Sequence, residues 1–403
     1  MVKPPLIPIA RPEHDEGEAE AVRHVLATDW WTQGPEVERF EKEFAAFVCA
    51  PYACAVSSGT TALHLALLVA GVMPGDEVIT VSHSFIATAN AIRYCQAIPV
   101  FVDITPATFN IDPNLIEKVI TSRTRAIVCV HQMGMPCDLA ALITIAQRHG
   151  LVLIEDAACA AGSEILQKGQ WEKIGRPHGD LACFSFHPRK VLSTGDGGMI
   201  TTANSGWDDR LRRLRHHGMN VPAHFRHRAA KVICEGYGEL GYNYRLTDIQ
   251  AAIGRVQLGK LPDMVLRRRD LAVRYRHLLA GQRLITLPFE PEWARSNWQS
   301  FAVRLAPEVD QLTLMQILLD NGIATRRGIM NAHRERAYSC GTWSCGKACI
   351  NCLENTCVRL KQSEDAQDQT ILLPLFPSLA SEEQDQVVRA LNEILVSPPL
   401  LWK

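Results

Sequence analysis

A lysine with unusual neighbours lies in the segment 180–202, which reads DLACFSFHPRKVLSTGDGGMITT. An apolar strand runs into a turn that holds Ser185, His187 and Lys190, and three glycines follow within four residues. Burial and neighbouring charge lower the pKa of a lysine and make it a nucleophile for carbonyl carbons. Glycines let the backbone approach a bulky cofactor. The alternative is an ordinary solvated lysine on a turn, which is the common state of lysine in proteins.

Two adjacent carboxylates end another apolar run, in the segment 151–163, LVLIEDAACAAGS. The carboxyl ends of strands form the usual ligand edge of an α/β sheet, and Asp156 would be costly to bury there without a cation. A protonated pyridine nitrogen is such a cation, and the pair would keep a pyridine ring an electron sink. A helix cap or a metal-binding acid is the alternative for this segment.

Small polar residues precede a predicted helix at 57–62, SSGTTA. Backbone N–H groups, hydroxyls and the helix dipole converge at such a helix start and can bind a phosphate group. Serine or threonine at this position is also the ordinary N-cap of a helix, so the motif alone does not separate the two uses.

Helical and strand patterns alternate through the first half of the chain. Val37, Phe40 and Phe44 fall on one helical face, and short apolar runs such as DEVITV, IPVFVDI and TRAIVCV have strand length. This alternation predicts a mostly parallel sheet with helices on both faces, and these elements must position the three segments above. After Trp207 the pattern becomes helical and basic, and we predict a domain boundary near residue 265.

Together, these segments resemble the DegT/DnrJ/EryC1/StrS family of sugar aminotransferases that depend on pyridoxal phosphate (PLP), over about Pro8 to Pro377. Five motifs stand in family order: SSGTTAL, SHSFIATANAI, EDAACA, FSFHPRK and GYNYRLTDIQAAIG. The resemblance implies an α/β protein of PLP-transferase fold type I. Its large domain, with a mostly parallel seven-stranded sheet, would occupy residues 1–265, and a smaller C-terminal α/β domain would occupy residues 266–403.

The resemblance also assigns roles to residues by their position. Lys190 would be catalytic, as the Schiff-base lysine and proton carrier, and Asp156 would pair with the pyridine nitrogen. The other expected contacts are Phe85 on the ring, Gly59, Thr60 and Ser185 at the phosphate, and Asn243 from the second subunit of a homodimer. Cys159 stands where the family usually has glutamine or histidine near the phenolic oxygen, and a thiol is a poor hydrogen-bond donor.

The reaction that the resemblance implies moves an amino group from glutamate to a keto sugar. We expect a nucleotide-diphospho-4-keto-6-deoxyhexose, aminated at carbon 4 for amino-sugar or polysaccharide biosynthesis. Amination at carbon 3, or a keto sugar or cyclitol without a nucleotide, stays open. The candidates for substrate contact are Arg226, Arg228, Lys231, Arg326 and His333. An exposed basic loop or helix start is the alternative for each of them.

Two other functions are open at this point. A PLP-dependent sugar dehydratase shares the fold, but in the dehydratases that the chain resembles a histidine replaces the lysine, whereas Lys190 is present here. A non-catalytic sensor or regulatory protein could also be built on the same fold. The intact set of cofactor residues argues against the second.

Five cysteines crowd into a segment at 340–357, CGTWSCGKACINCLENTC. They are Cys340, Cys345, Cys349, Cys352 and Cys357. Four of the five could ligate a structural zinc ion, because C-x-x-C is a frequent half of a tetrahedral zinc site. Disulfides or free thiols are the alternatives. Part of the spacing also matches radical enzymes that bind an iron–sulfur cluster, but no chain length remains for the barrel that those enzymes use.

Composition sets the remaining expectations. The chain has 403 residues, of which 47% are hydrophobic and 21% charged, and this is enough for two domains with a substantial core. A net charge of −1 gives no general attraction to nucleic acid or to an acidic membrane, so the expected partners are small molecules. We see no apolar run of about 18 residues and no signal-peptide pattern, and we expect a cytoplasmic protein.

Overall fold

A central sheet organises the protein in a computed structural model that describes residues 6–221, 231–338, 341–346, 352–353 and 356–396, without the side chains of 352–353. The strands of this sheet are β1 (Tyr52–Val56), β2 (Glu77–Val81), β3 (Ile98–Val102), β4 (Thr124–Val130), β5 (Val152–Asp156), β8 (Leu181–Ser185) and β9 (Gly198–Thr202). Their order is β1-β9-β8-β5-β4-β2-β3. Strands β3, β2, β4, β5 and β8 pair in parallel, and β9 is antiparallel to both of its neighbours. The predicted mostly parallel sheet is confirmed.

Helices cover both faces of this sheet. They are α1 (Glu16–Leu26), α2 (Pro35–Val48), α3 (Gly59–Val69), α4 (Ala87–Tyr94), α5 (Pro113–Ile116), α6 (Leu139–His149), α7 (Ser205–Leu214) and α8 (Asp248–Leu278). One face packs on α2, α6 and α8, where Phe40 and Phe44 are fully buried as their helical spacing predicts. The other face packs on α3, α4 and α7. Short 3-10 turns occur at Glu117–Val119, Gln132–Gly134, Ala332–Arg334 and Val358–Leu360.

A second, antiparallel sheet forms the core of the C-terminal part. Its strands are β10 (Ile285–Thr286), β12 (Phe301–Leu305), β13 (Arg326–Arg327) and β16 (Thr370–Leu373), in the order β10-β12-β16-β13. Helices α9 (Gln311–Asp320), α10 (Lys361–Gln369) and α11 (Ser381–Val396) accompany it. A separate three-stranded sheet joins β6 (Glu164–Gln167), β7 (Gln170–Lys173) and β11 (Ala294–Arg295).

The change from one core to the other takes place inside a single helix. Helix α8 is 31 residues long and begins with a capping box, in which Thr247 and Gln250 satisfy each other's backbone N–H groups. Its apolar side chains belong to the first core as far as Val265 and to the second core from Leu271 onward. The predicted boundary near 265 therefore lies where the packing of α8 changes, and the division of the chain there stays a prediction.

The cysteine-rich segment lies at the edge of the large sheet. The backbone of Ser344 pairs in parallel with β3, because Ser344 N–H donates to Pro99 and Phe101 N–H donates to Ser344, at 3.0 and 2.7 Å. A small apolar cluster under this contact includes Phe101, Tyr338 and Leu360. Two short strands, β14 (Cys352–Leu353) and β15 (Thr356–Cys357), form a hairpin beside it. The segment thus covers an edge strand that would otherwise present unpaired backbone groups.

Candidate active site

Lys190 lies on a turn at the carboxyl edge of the large sheet, just after β8. Its backbone N–H donates to the carbonyl of His187 at 2.8 Å, which closes the turn. Its Nζ lies 3.0 Å from the Sγ of Cys159, which follows β5. Because β5 and β8 are neighbouring parallel strands, their carboxyl ends bring these two residues together. The side chain of Lys190 is half-buried, so it can meet a ligand at this edge.

Asp156 is buried beside the lysine, as the last residue of β5. Only 4% of its surface is exposed. Its carboxylate accepts hydrogen bonds from Thr88 Oγ1 at 2.7 Å and from the N–H of Ala158 at 3.2 Å. Burial raises the pKa of Asp156, while Thr88, Ala158 and the charge of Lys190 lower it. Both hydrogen-bond donors are neutral groups, so a cationic ring nitrogen suits this carboxylate as a further partner.

The start of helix α3 forms a tight cradle against the end of β8. Ser58 is the N-cap, and its Oγ accepts from the N–H of Thr61 at 3.1 Å, so the ordinary capping use of this motif is present. The N–H groups of Gly59 and Thr60, in the first turn, have no partner within the helix and can bind an anion. A Cβ atom on Gly59 would lie 2.7 Å from the Cβ of Ser185. Only glycine therefore lets the helix start approach Ser185 this closely.

The two remaining cofactor candidates are exposed in the single chain. Phe85 has 68% of its surface exposed, just before α4, although phenylalanine is usually buried. Thr88, which holds Asp156, lies three residues further along, in the first turn of α4. Asn243 is also exposed and pairs by its backbone with His216. An uncovered phenyl ring suits stacking on a planar ligand, and an exposed Asn243 is compatible with the predicted contact across a dimer.

The residues around Lys190 fit PLP. A buried carboxylate stands where the ring nitrogen needs an anion, a helix start with an obligatory glycine suits the phosphate, and a half-buried lysine can hold the aldehyde. Cys159 reaches the lysine itself with its sulfur, at 3.0 Å. The expected weakness of a thiol at the phenolic oxygen stays a prediction.

Several supporting residues carried no signal in the sequence. Asn297 is fully buried, and its Nδ2 donates to the carbonyls of Cys159 and Ala161 at 2.8 and 2.9 Å. It holds the loop after Asp156 from a position 138 residues away in the chain. His131 Nδ1 accepts from the N–H of Cys137, so its Nε2 carries the hydrogen and donates to the buried Glu155 at 3.0 Å. Such contacts follow from the fold and not from local patterns.

The candidate substrate residues differ in their exposure, and two of them are not described by the structure. Arg226 and Arg228 lie outside the described residues, and Lys231 is exposed next to that segment. Arg326 is exposed on β13. His333 is buried, with Nδ1 2.6 Å from Ser82 Oγ and Nε2 3.2 Å from Glu364. Both ring nitrogens of His333 are therefore engaged, and in this structure it ties two segments together with no nitrogen left to offer a substrate.

The cysteine-rich segment is described in part. Cys345 and Cys357 are buried in the small apolar cluster. Cys340 and Cys349 lie outside the described residues, and so does the side chain of Cys352. Among the residues that the structure describes, no group of three or more His, Cys, Asp or Glu side chains could hold a metal ion. The zinc hypothesis is therefore not supported by this structure.

One cavity in the described part of the chain is lined by residues outside the candidate site. A cavity of about 710 Å³ is lined by residues that include Gln33, Glu41, Tyr52 and Arg212, and neither Lys190 nor Asp156 lines it. Its wall carries a charged pair, in which Arg212 donates to the buried Glu41 at 2.7 Å.

Within the described ranges, no helix is both long and apolar enough to cross a membrane.

Comparison with known proteins identifies the family of this chain. Residues 12–392 match the model of the DegT/DnrJ/EryC1/StrS aminotransferase family. The chain is 35% identical over 393 residues to the spore coat polysaccharide biosynthesis protein SpsC of Bacillus subtilis, covering 96% of this chain and 97% of SpsC. It also resembles the solved structure of DesV from S. venezuelae, with a TM-score of 0.84 and 34% identity, covering 97% of this chain and 99% of DesV.

A further solved structure, the aminotransferase TlmJ from Streptoalloteichus hindustanus, matches with a TM-score of 0.85 and 31% identity, over 97% of this chain and 99% of TlmJ. The similarity extends over nearly the whole chain in each case. The expected fold type and the expected aminotransferase activity are confirmed. The protein belongs to the DegT/DnrJ/EryC1/StrS aminotransferase family.

Proposed function

We propose that the protein transfers the amino group of glutamate to a keto sugar, with a nucleotide-diphospho-4-keto-6-deoxyhexose aminated at carbon 4 as the first candidate. The observation that carries the proposal is the placement of Lys190 beside Cys159 and the buried Asp156, at the sheet edge where β5 and β8 end. The description of SpsC as a spore coat polysaccharide biosynthesis protein supports a sugar substrate.

Each side chain of the site has a distinct task in this proposal. PLP, when bound, supplies an electron sink for the substrate carbon. Lys190 holds the aldehyde of the cofactor between turnovers and carries the proton to and from the substrate carbon at its Nζ. Asp156 keeps the ring nitrogen charged. Phe85 limits the movement of the ring, and Gly59, Thr60 and Ser185 hold the phosphate.

A homodimer completes the proposed site. Asn243 would reach the phosphate from the second subunit, and its exposure in the single chain supports such a contact. Arg226, Arg228 and Lys231 form a basic stretch before it in the chain, and they are our candidates for the diphosphate of a nucleotide sugar. The proposed location of this reaction is the cytoplasm.

A panel of ketones tests the substrate class. The purified protein would be mixed with glutamate and either 4-keto or 3-keto nucleotide sugars, keto sugars without a nucleotide, keto cyclitols, or amino-acid keto acids. We expect the fastest transfer to a 4-keto nucleotide sugar. Faster transfer at carbon 3 would show that the aminated carbon is not carbon 4, and faster transfer to a free keto sugar would show that the substrate carries no nucleotide. Transfer to amino-acid keto acids alone would refute the sugar substrate.

The same experiment separates transfer from dehydration. A sugar dehydratase removes water from its substrate and leaves no new amine on the sugar. The presence of Lys190 favours transfer, and mass spectrometry of the product distinguishes an added amino group from a lost water molecule. A regulatory protein that cannot turn over would leave both substrates unchanged.

A further inference from the structure

Two buried hydroxyl groups lie in line with the carboxylate of Asp156. Thr88 Oγ1 donates to Asp156 Oδ2 at 2.7 Å, and Ser84 Oγ lies 2.7 Å from Thr88 Oγ1. Ser84 is 4% exposed and Thr88 is 2% exposed. An ionised carboxylate can only accept hydrogen bonds, so the single hydrogen of the Thr88 hydroxyl points to Asp156. The hydrogen between the two hydroxyls must then come from Ser84, and the chain of donors has one direction.

The two hydroxyls belong to the turn that carries Phe85. The N–H of Thr88 donates to the carbonyl of Phe85 at 3.1 Å, and the N–H of Ser84 donates to the carbonyl of Ser82 at 2.9 Å. Phe85 lies between the two hydroxyl residues in the chain and is exposed, whereas both of them are buried. The turn thus joins the residue expected to stack on the cofactor ring to the residue expected to pair with its nitrogen.

Helix capping does not account for these hydroxyls. Serine and threonine near a helix start ordinarily accept from the N–H groups of the first turn. The N-cap of α4 is Ile86, an apolar residue that makes no side-chain bond to that turn. The hydroxyls of Ser84 and Thr88 are instead bonded to each other and, through Thr88, to a carboxylate 68 residues further along the chain.

We propose that Ser84 and Thr88 are positioning residues for the transfer reaction, and that their directed hydroxyl chain orients the carboxylate of Asp156 toward the ring nitrogen of the cofactor. Thr88 binds Oδ2 of this carboxylate, and the N–H of Ala158 binds Oδ1 at 3.2 Å, so both oxygens are restrained. The inference deepens the proposed function and rests on it, because it requires Asp156 to pair with the ring nitrogen.

The hydroxyl chain also favours the ionised form of Asp156. Burial raises the pKa of this carboxyl, and the hydrogen bond from Thr88 is the largest of the effects that lower it. Ser84 donates to the Thr88 hydroxyl and polarises it, and successive hydrogen bonds in such a chain strengthen one another. Loss of either hydroxyl should therefore shift the shared proton from the ring nitrogen toward Asp156.

The protonation of the ring nitrogen can be measured without turnover. The protein would be loaded with PLP that carries a heavy nitrogen isotope in its ring, and the chemical shift of this atom in NMR reports whether it is protonated. We expect Thr88→Val, which keeps the shape of the side chain, to move the signal toward that of an unprotonated pyridine. The rate of amine transfer from glutamate should fall by about 10- to 100-fold, as for the loss of a hydrogen bond to a charged group.

Two further variants test the hydroxyls themselves. Ser84→Ala should shift the nitrogen signal in the same direction by a smaller amount, because it removes only the donor to Thr88. Thr88→Ser keeps the hydroxyl and should retain a signal close to that of the wild type. Circular dichroism and bound PLP confirm that each variant is folded and loaded.

Thr80→Val is the matched control. Thr80 is fully buried on β2, and its Oγ1 donates to the carbonyl of Val128 at 2.8 Å. The variant therefore loses a buried hydroxyl bond of similar length that does not involve Asp156. Its nitrogen signal should equal that of the wild type, whatever its thermal stability. A shift as large as that of Thr88→Val would overturn the proposal, because loss of packing alone would then explain both.

Asp156→Asn separates this proposal from the pairing on which it rests. If Asp156→Asn shifts the nitrogen signal while Thr88→Val and Ser84→Ala match the wild type, the pairing stands and the hydroxyl chain is refuted. A wild-type signal in Ser84→Ala alone would also refute the chain and leave Thr88 as a single contact. If Asp156→Asn itself gives the wild-type signal, the pairing fails and the chain fails with it. None of these measurements uses a keto sugar, so failure of the proposed acceptor would leave their results in place.

Discussion

At the scale of single residues, Asp156 is a buried carboxylate whose pKa depends on its partners. Burial raises its pKa, and its hydrogen bonds from Thr88 and Ala158 offset only part of that cost. A cationic pyridine nitrogen would stabilise the ionised form, and the carboxylate would in turn keep the nitrogen protonated. The same pairing explains why a neutral residue here should impair chemistry more than binding.

Replacement of Asp156 by asparagine tests this pairing. The amide keeps the shape of the side chain but cannot balance a ring charge, so we expect turnover to fall by at least about 100-fold, the lower range for a group that assists proton transfer. PLP should still bind through the helix start at Gly59. Steady-state transfer rates and bound PLP would be measured together. Turnover equal to that of the wild type would show that another group pairs with the nitrogen.

The sequence predicted the placement of residues next to strand ends, but it did not predict contacts between residues that are distant in the chain. Lys190 and Asp156 follow apolar runs of strand length, so their place at the ligand edge was predictable. Thr88 and Asn297 contact the same site, but their partners are 68 and 138 residues away in the chain. No local pattern encodes such a contact, because it exists only once β5, α4 and the segment before β12 are packed together.

At the scale of elements, the start of helix α3 must come very close to β8. The distance of 2.7 Å from a Cβ on Gly59 to the Cβ of Ser185 leaves no room for any side chain. The motif SSGTTA was ambiguous in the sequence because an N-cap and a phosphate cradle need the same residues. The structure shows that the N-cap uses Ser58, and the first-turn N–H groups remain for an anion.

We predict that Gly59→Ala weakens PLP binding by about 10-fold or more, because overpacking of about 1–3 kcal/mol displaces the helix start. Gly259→Ala is the control, since Gly259 lies inside α8 and a Cβ there meets no atom within 4 Å. That change should stabilise the protein by about 0.5–1 kcal/mol. Cofactor titration and thermal unfolding give both values. Equal PLP affinity in the two variants would contradict the cradle.

The edge contact of the cysteine-rich segment could not be read from the sequence. Cysteine spacing suggested a zinc ion, but nothing in that spacing indicates that Ser344 extends the large sheet at β3. The pairing requires β3 to be an edge strand of the sheet, and the strand order is set by the topology of the whole fold. Trp343 of this segment lies near the buried His333, with the two rings 5.6 Å apart, and Tyr338, just before the segment, donates to Asn90 of α4 at 2.7 Å.

Elemental analysis tests the zinc hypothesis, which rests on spacing alone. If four of the five cysteines ligate zinc, protein purified without added metal should carry about one ion per chain, and chelation should loosen the segment. Weaker sugar binding or lower stability should follow, with less effect on the step with glutamate. A metal-free protein with five titratable thiols in this segment would contradict zinc, and fewer thiols without metal would indicate disulfides.

At the scale of the whole molecule, the large sheet and the C-terminal part are joined by buried polar contacts. Ser82 accepts from the N–H of His333, and its Oγ also contacts the ring of the same residue at 2.6 Å. Asp103 accepts from the N–H of Ser363 at 2.8 Å, at the start of α10. Ser82 begins the segment 82–85 that ends in Phe85, so its contact with His333 links the C-terminal part to the segment that carries Phe85.

His83 makes this junction sensitive to acid. It is 1% exposed, and Asn331 offers its ring one weak side-chain hydrogen bond. Burial lowers its pKa from 6.5 to about 3, against a smaller raising effect of Asn331. The unfolded chain therefore takes up this proton more readily than the folded chain. The folded protein therefore loses stability as the pH falls from 6.5 toward 3, and above pH 6.5 this loss is absent.

We predict that His83→Leu flattens the decline of unfolding free energy between about pH 6.5 and 4.5. Each pH unit in this window can cost the wild type up to about 1.4 kcal/mol through this proton, so the difference should reach about 2–3 kcal/mol. Denaturant unfolding at several pH values measures it. The exposed His14→Leu is the control and should follow the wild type. Parallel curves for all three proteins would rule out His83 as the source.

The most direct test of the central claim is a single-turnover experiment on the yellow holoenzyme. Mixed with glutamate alone, the wild type should lose its colour and release one 2-oxoglutarate per active site, and addition of the accepting keto sugar should restore the colour. Lys190→Ala should remain folded, with unchanged circular dichroism, and should show neither change, because it has lost both the group that holds the aldehyde and the proton carrier. A wild type that keeps its colour and forms no 2-oxoglutarate, or a Lys190→Ala variant that turns over, would contradict the account.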